Sequence, residues 1–168
     1  MSAFAIAARA FEETLRELRL PGAAQTSATA QAELGRRAAL LAVADALWQR
    51  HLGLILDGSQ VQKLMKVGTR QALHDLVRRR RLLALPGPRG RASYPAFQFT
   101  SRGRPHPALP AVLKHFDAAG VTAHTIASWF TTPQAYLGSQ TPAARLAKDP
   151  EALAVIESAR RSAARLGR

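Results

Sequence analysis

Arg70 and Gln71 directly follow a Gly68-Thr69 pair, and four consecutive arginines, Arg78 to Arg81, come at the end of the same segment. A guanidinium matches guanine O6 and N7, and a carboxamide matches adenine N6 and N7, each through two hydrogen bonds. Set in the first turn of a helix, these two side chains therefore suit base edges in a major groove. Thr69 is placed to cap that helix. His74 and Arg78 fall on the same open face. Arg79, Arg80 and Arg81 stand at the far end and suit phosphates, which set position without reading sequence. Arg89 and Arg91 lie in a Pro/Gly-rich turn fit for a phosphate or the minor groove. The expected DNA-binding set is thus Thr69, Arg70, Gln71, His74, Arg78, Arg79, Arg80, Arg81, Arg89 and Arg91. An arginine run alone is more often a solvated cluster; the caps, turn and hairpin signals around it favour DNA.

Charge distribution supports that reading. The 168 residues carry 24 Lys/Arg against 11 Asp/Glu, a net +13. Between Lys63 and Arg104 eleven Lys/Arg meet one acid, Asp75, a net +10 that leaves only +3 elsewhere. A patch this concentrated calls for a polyanion. Membrane lipid is a weaker match, because the segment lacks the continuous apolar face of an interfacial helix.

The elements that must hold these residues run from Ser59 to Phe99. Asp57 or Ser59 can cap a first short helix whose buried side is Val61, Leu64 and Met65. Gly68 is free to take positive φ in the turn. A second helix over 70–79 buries Ala72, Leu73, Leu76 and Val77. Strands at Leu82–Leu85 and Ser93–Tyr94 flank Pro86-Gly87-Pro88-Arg89-Gly90-Arg91. Helix, turn, helix and hairpin in this order outline a winged helix-turn-helix. The stretch resembles the excisionase/MerR type, with one departure. That family's turn usually reads Leu-Gly-Val-Ser, and Met65-Lys66-Val67-Gly68-Thr69 is one residue longer, which shifts the register of the base contacts by a position.

Upstream, Phe4, Ala8, Phe11, Leu15 and Leu18 form one stripe of a helix over 3–20, ended by Pro21-Gly22. A longer helix over 30–52 spaces Leu34, Leu41 and Trp48 by sevens. That spacing fits either a seam between two subunits or packing under the reader in one subunit. Residues 1–56 are therefore an N-terminal helical region with a possible dimerisation role, followed by the reader at 57–99.

Downstream, helices are expected over 107–119 and 123–130, with Thr122 as N-cap of the second. Thr141-Pro142 and Asp149-Pro150 each pair a capping residue with proline, so each should start a helix. The last runs to about Leu166 with Leu153, Ile156, Ala159 and Ala163 inward. Trp129-Phe130-Thr131-Thr132-Pro133 followed by Leu137-Gly138-Ser139-Gln140-Thr141-Pro142 is the specific motif here. With its surroundings, from Pro95 to Arg161, it resembles the toxin-binding domain of MbcA/ParS/Xre antitoxins. The resemblance implies a small helical bundle over 100–168 with Trp129 and Leu137 as anchors and Gly138 in a tight turn. It also implies a non-enzymatic protein whose bundle clasps a NAD-consuming toxin of the RES type. Arg160, Arg161, Arg165 and Arg168 are then candidates for contact with that toxin; from charge alone they read as a solvated helix tail. The family also contains free-standing regulators.

Other chemistry finds little support. No cysteine is present, which excludes disulfides and thiolate metal sites. His106, His115 and His124 are nine apart without a carboxylate in ligand spacing, so no metal is expected. There is no phosphate-binding glycine loop and no nucleophile elbow. Asp117, Asp149, Glu151 and Glu157 read as caps and surface charges, not as an acid–base pair. The Phe4–Ala8 run is too short to span a membrane and lacks a signal-peptide pattern, so a cytoplasmic protein is expected. The expected fold is mainly α, a winged helix-turn-helix with a small β-hairpin wing plus a C-terminal helical bundle. The expected function is a dimeric, DNA-binding antitoxin or autoregulator without cofactor. The alternatives are a stand-alone regulator with no toxin, and a sequence-indifferent nucleic-acid binder.

Overall fold

Asp57 begins a helix with a reciprocal cap. Its carboxylate accepts from the Gln60 amide at 2.8 Å, while the Gln60 side chain accepts from the Asp57 amide at 2.8 Å. The structure, a computed structural model, describes residues 43, 46–87, 90–149 and 151–167. The helix expected over 3–20, and Leu34 and Leu41 of the heptad pattern, lie outside the described residues.

Residues 46–52 are helical (α1). There follow β1 (Ile55–Asp57), α2 (Gly58–Met65), α3 (Arg70–Arg78), β2 (Leu85–Pro86) and β3 (Ala92–Pro95). Then come α4 (Leu109–Ala118), α5 (Ala123–Thr131), α6 (Pro142–Leu146) and α7 (Leu153–Leu166). The fold is mainly helical with one small antiparallel sheet of order β1-β3-β2. β3 is central, pairing Leu56 with Tyr94 on one side and Leu85 with Ser93 on the other. Pro86 sits on the edge strand, where a missing donor is tolerated.

Two apolar clusters form the interior. Val61, Leu73, Leu82 and Tyr94 are buried beneath the α2–α3 pair, with Leu56, Met65, Leu76, Val77 and Phe99 around them. The larger cluster is built by α4–α7. Leu109, Val112, Leu113 and Phe116 give α4 a stripe at helical spacing. Val155, Ser158, Ala159, Ser162 and Ala163 give α7 a buried face of small residues that lets it pack closely along α4. Phe116, Trp129 and Phe130 stack edge to face with centroids 4.9 and 5.0 Å apart, and Phe97 joins Phe130 at 4.9 Å.

The larger cluster also takes in Leu52, Leu83 and Leu85, so its packing runs across residue 99, and Ala46–Arg168 is one compact unit. Trp48 packs on this cluster, with its ring 6.0 Å from that of His124 in α5. That contact is made within the chain.

Several local expectations are corrected. Residues 55–57, which carry no strand expectation, pair with β3 along its free edge. Leu82 and Leu83 are not in the hairpin but fully inside, 1% and 5% exposed, and the strand starts only at Leu85. In the helix–helix turn it is Lys66, not Gly68, that takes the left-handed conformation, at φ 57°. Leu64 is 40% exposed instead of buried with Val61. The second helix of the pair ends at Arg78, one residue early. The last helix begins at Leu153, not at residue 150. Asp149 Oδ1 caps the amides of Glu151 and Ala152, both at 3.1 Å, and Ala152 sits at φ 51°, so the chain turns once more before α7. Leu153 consequently points outward, 67% exposed, and Val155 takes the inward place.

Candidate nucleic-acid interface

Thr69 lies in extended backbone and its hydroxyl accepts from the Ala72 amide at 3.2 Å, which sets the first turn of α3. Leu73 is buried beneath, and Ala72, Leu76 and Val77 are partly buried, as an amphipathic helix requires. Arg70, Gln71, His74 and Arg78 are all exposed. The helix thus presents one continuous polar face bearing two guanidinium groups, a carboxamide and an imidazole. No ion pair holds Arg70, Arg79 or Arg81 among the described residues.

Two of the arginines are engaged. Arg78 pairs with Asp75 at 3.1 Å one turn back, so the region's one acid is spent inside the helix. Arg80, at φ 59°, reaches Asp117 at the end of α4. Both members of that pair are half exposed, so it is a weak tie of about 0–1 kcal/mol. Arg91 is exposed on the β2–β3 hairpin, and Arg89 lies outside the described residues. Thr69, Arg70, Gln71, His74 and Arg78 are therefore gathered on one helix, with Arg79 and Arg81 beyond its end and Arg80 turned toward α4.

Lys63 and Lys66, which the residue pattern did not single out, line an open depression with Ser59, Gln62, Val67 and Gly68. It lies along α2 and the turn that follows it. A lysine three residues after another on a helix end was the available signal.

The four arginines near the carboxyl terminus present a different picture. Arg160 donates twice to Glu157, both at 2.8 Å, and Arg161 donates to it at 2.8 Å. Arg161 also lies 4.3 Å from the centre of the Tyr136 ring. Arg165 donates to Ser162 at 3.3 Å, and Arg168 lies outside the described residues. Hydrogen bonds from Arg160 and then Arg161 hold the Glu157 carboxyl down at about 2. A carboxyl lowered in the folded state contributes stability that is complete above its unfolded value, near 4.5, and lost as pH falls through about 2. We expect an NMR titration to place the Glu157 midpoint near 2, and Arg160→Ala to raise it toward 4.5; a midpoint already near 4.5 in the unaltered protein would refute the clamp.

Among the described residues no three His, Asp or Glu side chains are grouped to hold a metal ion, and no helix is long and apolar enough to cross a membrane. No protein-family model matches the chain, and no curated protein or solved structure is significantly similar to it.

Proposed function

We propose that the protein is a DNA-binding regulator that reads a duplex through α3 and binds a protein partner through its C-terminal helices. In this reading residues 57–99 are a winged helix-turn-helix, with α3 in the major groove and the β2–β3 hairpin as wing. The observation that carries it is the exposed face Arg70, Gln71, His74 and Arg78 on a side-chain-capped helix. The sheet order β1-β3-β2, with α2 and α3 inserted between its first two strands in sequence, is in keeping with a wing beside a reading helix. The protein is not an enzyme on this reading and works as a homodimer on paired half-sites.

The partner proposed from the antitoxin-like motif is a RES-type toxin, which would make the chain an antitoxin and autoregulator. Trp129, Leu137 and Gly138 have the structural roles that motif asks of them. Trp129 is 6% and Leu137 8% exposed, and Gly138 turns at φ 62°. A second reading, a stand-alone dimeric regulator without toxin, is favoured by Glu157, which engages two of the four candidate partner arginines within α7 itself. Co-expression with a neighbouring RES-type gene separates the two readings: rescue of growth and a stable complex support the antitoxin, and neither occurring supports the stand-alone regulator.

The DNA reading is tested by selecting duplexes from a random pool and footprinting the winner. Arg70→Ala or Gln71→Ala should relax preference at one base pair by about 1–3 kcal/mol if the contact is bidentate. An equal loss on selected and random duplexes would remove the base-reading role.

A further inference from the structure

We propose that the turn Ser101–Arg104 is a second phosphate-binding element, which holds the DNA backbone beside the amino end of α3. The inference rests on the reading of α3 as the DNA-contacting helix.

The sequence from Arg102 to Pro110 reads as a Pro/Gly/Arg linker, yet its start is closed into a hydrogen-bonded hairpin. Phe99 and Pro105 form an antiparallel bridge, and the His106 amide donates to the Gln98 carbonyl at 2.9 Å. The Thr100 amide and hydroxyl both donate to the Arg104 carbonyl, at 2.8 and 3.1 Å, and the Gly103 amide donates to Thr100 at 2.9 Å. Gly103 turns at φ 69° and is seated against the carboxyl end of α2. A Cβ there would lie 2.6 Å from the Leu64 carbonyl oxygen and 3.0 Å from its Cδ1. Only glycine combines that backbone with that approach.

The seat decides which charges come together. Leu64 lies between Lys63 and Lys66, both exposed and both lining the depression along α2 and the following turn. The hairpin adds Arg102 and Arg104, which are exposed and have no ion-pair partner among the described residues. Four cations thus gather at the end of α2 from which the chain enters α3. The sequence between Lys63 and Arg104 offers one acid to balance them, and that acid is paired with Arg78. A duplex supplies a regular row of phosphates to neutralise such a cluster, with release of counterions. A turn already closed by its own hydrogen bonds loses little freedom in making the contact. These contacts would position the protein and leave base preference to α3.

The test uses the full chain, a duplex it selects from a random pool, and a scrambled duplex of equal length. Binding is followed by fluorescence anisotropy between 50 and 300 mM salt, with circular dichroism to verify folding, for the unaltered protein and for Arg102→Ala/Arg104→Ala. We expect roughly a tenfold loss per removed contact at 0.1 M salt, equal on both duplexes, with the salt slope shallower by about 0.9 per contact. If the unaltered protein binds and the double variant matches it in affinity and slope, the turn is no phosphate site, while the α3 reading stands. A loss confined to the selected duplex would also overturn the proposal, because it would make these base contacts. If the unaltered protein binds no duplex, the α3 reading falls and this inference falls with it.

Discussion

Replacing Trp129 with alanine is expected to lower the free energy of unfolding by about 3–5 kcal/mol, the usual cost of truncating a buried aromatic. The ring is 6% exposed and lies at the centre of the larger core, edge to face with both Phe116 and Phe130. Its removal takes contacts from α4 and α5 at once and opens a cavity that close packing of α7 on α4 cannot fill. The indole also donates to Ser162 Oγ at 3.0 Å, and Ser162 is buried on α7. The loss therefore has a packing part and a hydrogen-bonding part. Trp129→Phe should recover most of the first and none of the second. Denaturant unfolding followed by circular dichroism gives the comparison. A transition midpoint unchanged in Trp129→Ala would mean that the ring is a surface contact and not an anchor.

Gln98→Leu is expected to be the second large loss, and it acts by a different route. Gln98 is fully buried, and its amide is satisfied entirely by backbone. Its Oε1 accepts from the Leu83 amide at 2.7 Å, and its Nε2 donates to the carbonyls of Leu83 at 2.9 Å and Pro95 at 3.0 Å. Leucine has a similar volume, so little cavity forms, but one backbone N–H and two carbonyls lose their partner. Each orphaned group costs about 1–3 kcal/mol when it stays buried. Leu83 belongs to the larger core and its neighbour Leu82 to the smaller one, so this bracket holds the chain where the two meet. Hydrogen exchange at the Leu83 amide should quicken more than at amides within α4. Equal protection in the variant and the unaltered protein would show that the bracket is dispensable.

Both effects bear on the proposed function. Leu52, Ile55, Leu83 and Leu85 pack on the same core as the helices proposed to hold a partner, while α2 and α3 themselves pack on the smaller one next to it. A partner on α7 could therefore change DNA affinity only through this shared core or through the spacing of two readers in a dimer. By linkage, DNA would change partner affinity by the same factor.

How far the site was legible can be judged residue by residue. Thr69, Thr122 and Thr141 are visible as caps because a hydroxyl ahead of an apolar-periodic run satisfies free amides wherever that run folds. All three do so, accepting from Ala72, Thr125 and Ala144. The exposed side of α3 follows from the same periodicity. Arg80 shows the limit: its type and place suggest a phosphate contact, yet Asp117, 37 positions later in the sequence, has it in reach. Nothing local announces that pair.

The sequence by itself determined the elements whose signals are local: the capped helices, the apolar stripes of α3 and α4, the Trp129 and Leu137 anchors, and the concentration of charge between Lys63 and Arg104. Tertiary structure alone decided what those elements share. It drew residues 55–57 into the sheet and moved Leu82 and Leu83 into the interior. It turned a buried glutamine into a backbone bracket and seated Gly103 on Leu64, so that a stretch resembling a linker packs against the carboxyl end of α2. The physical reason is common to all four. Each depends on a backbone edge, a cavity or a carbonyl supplied by residues far away in sequence, and such partners exist only once the chain has closed on itself.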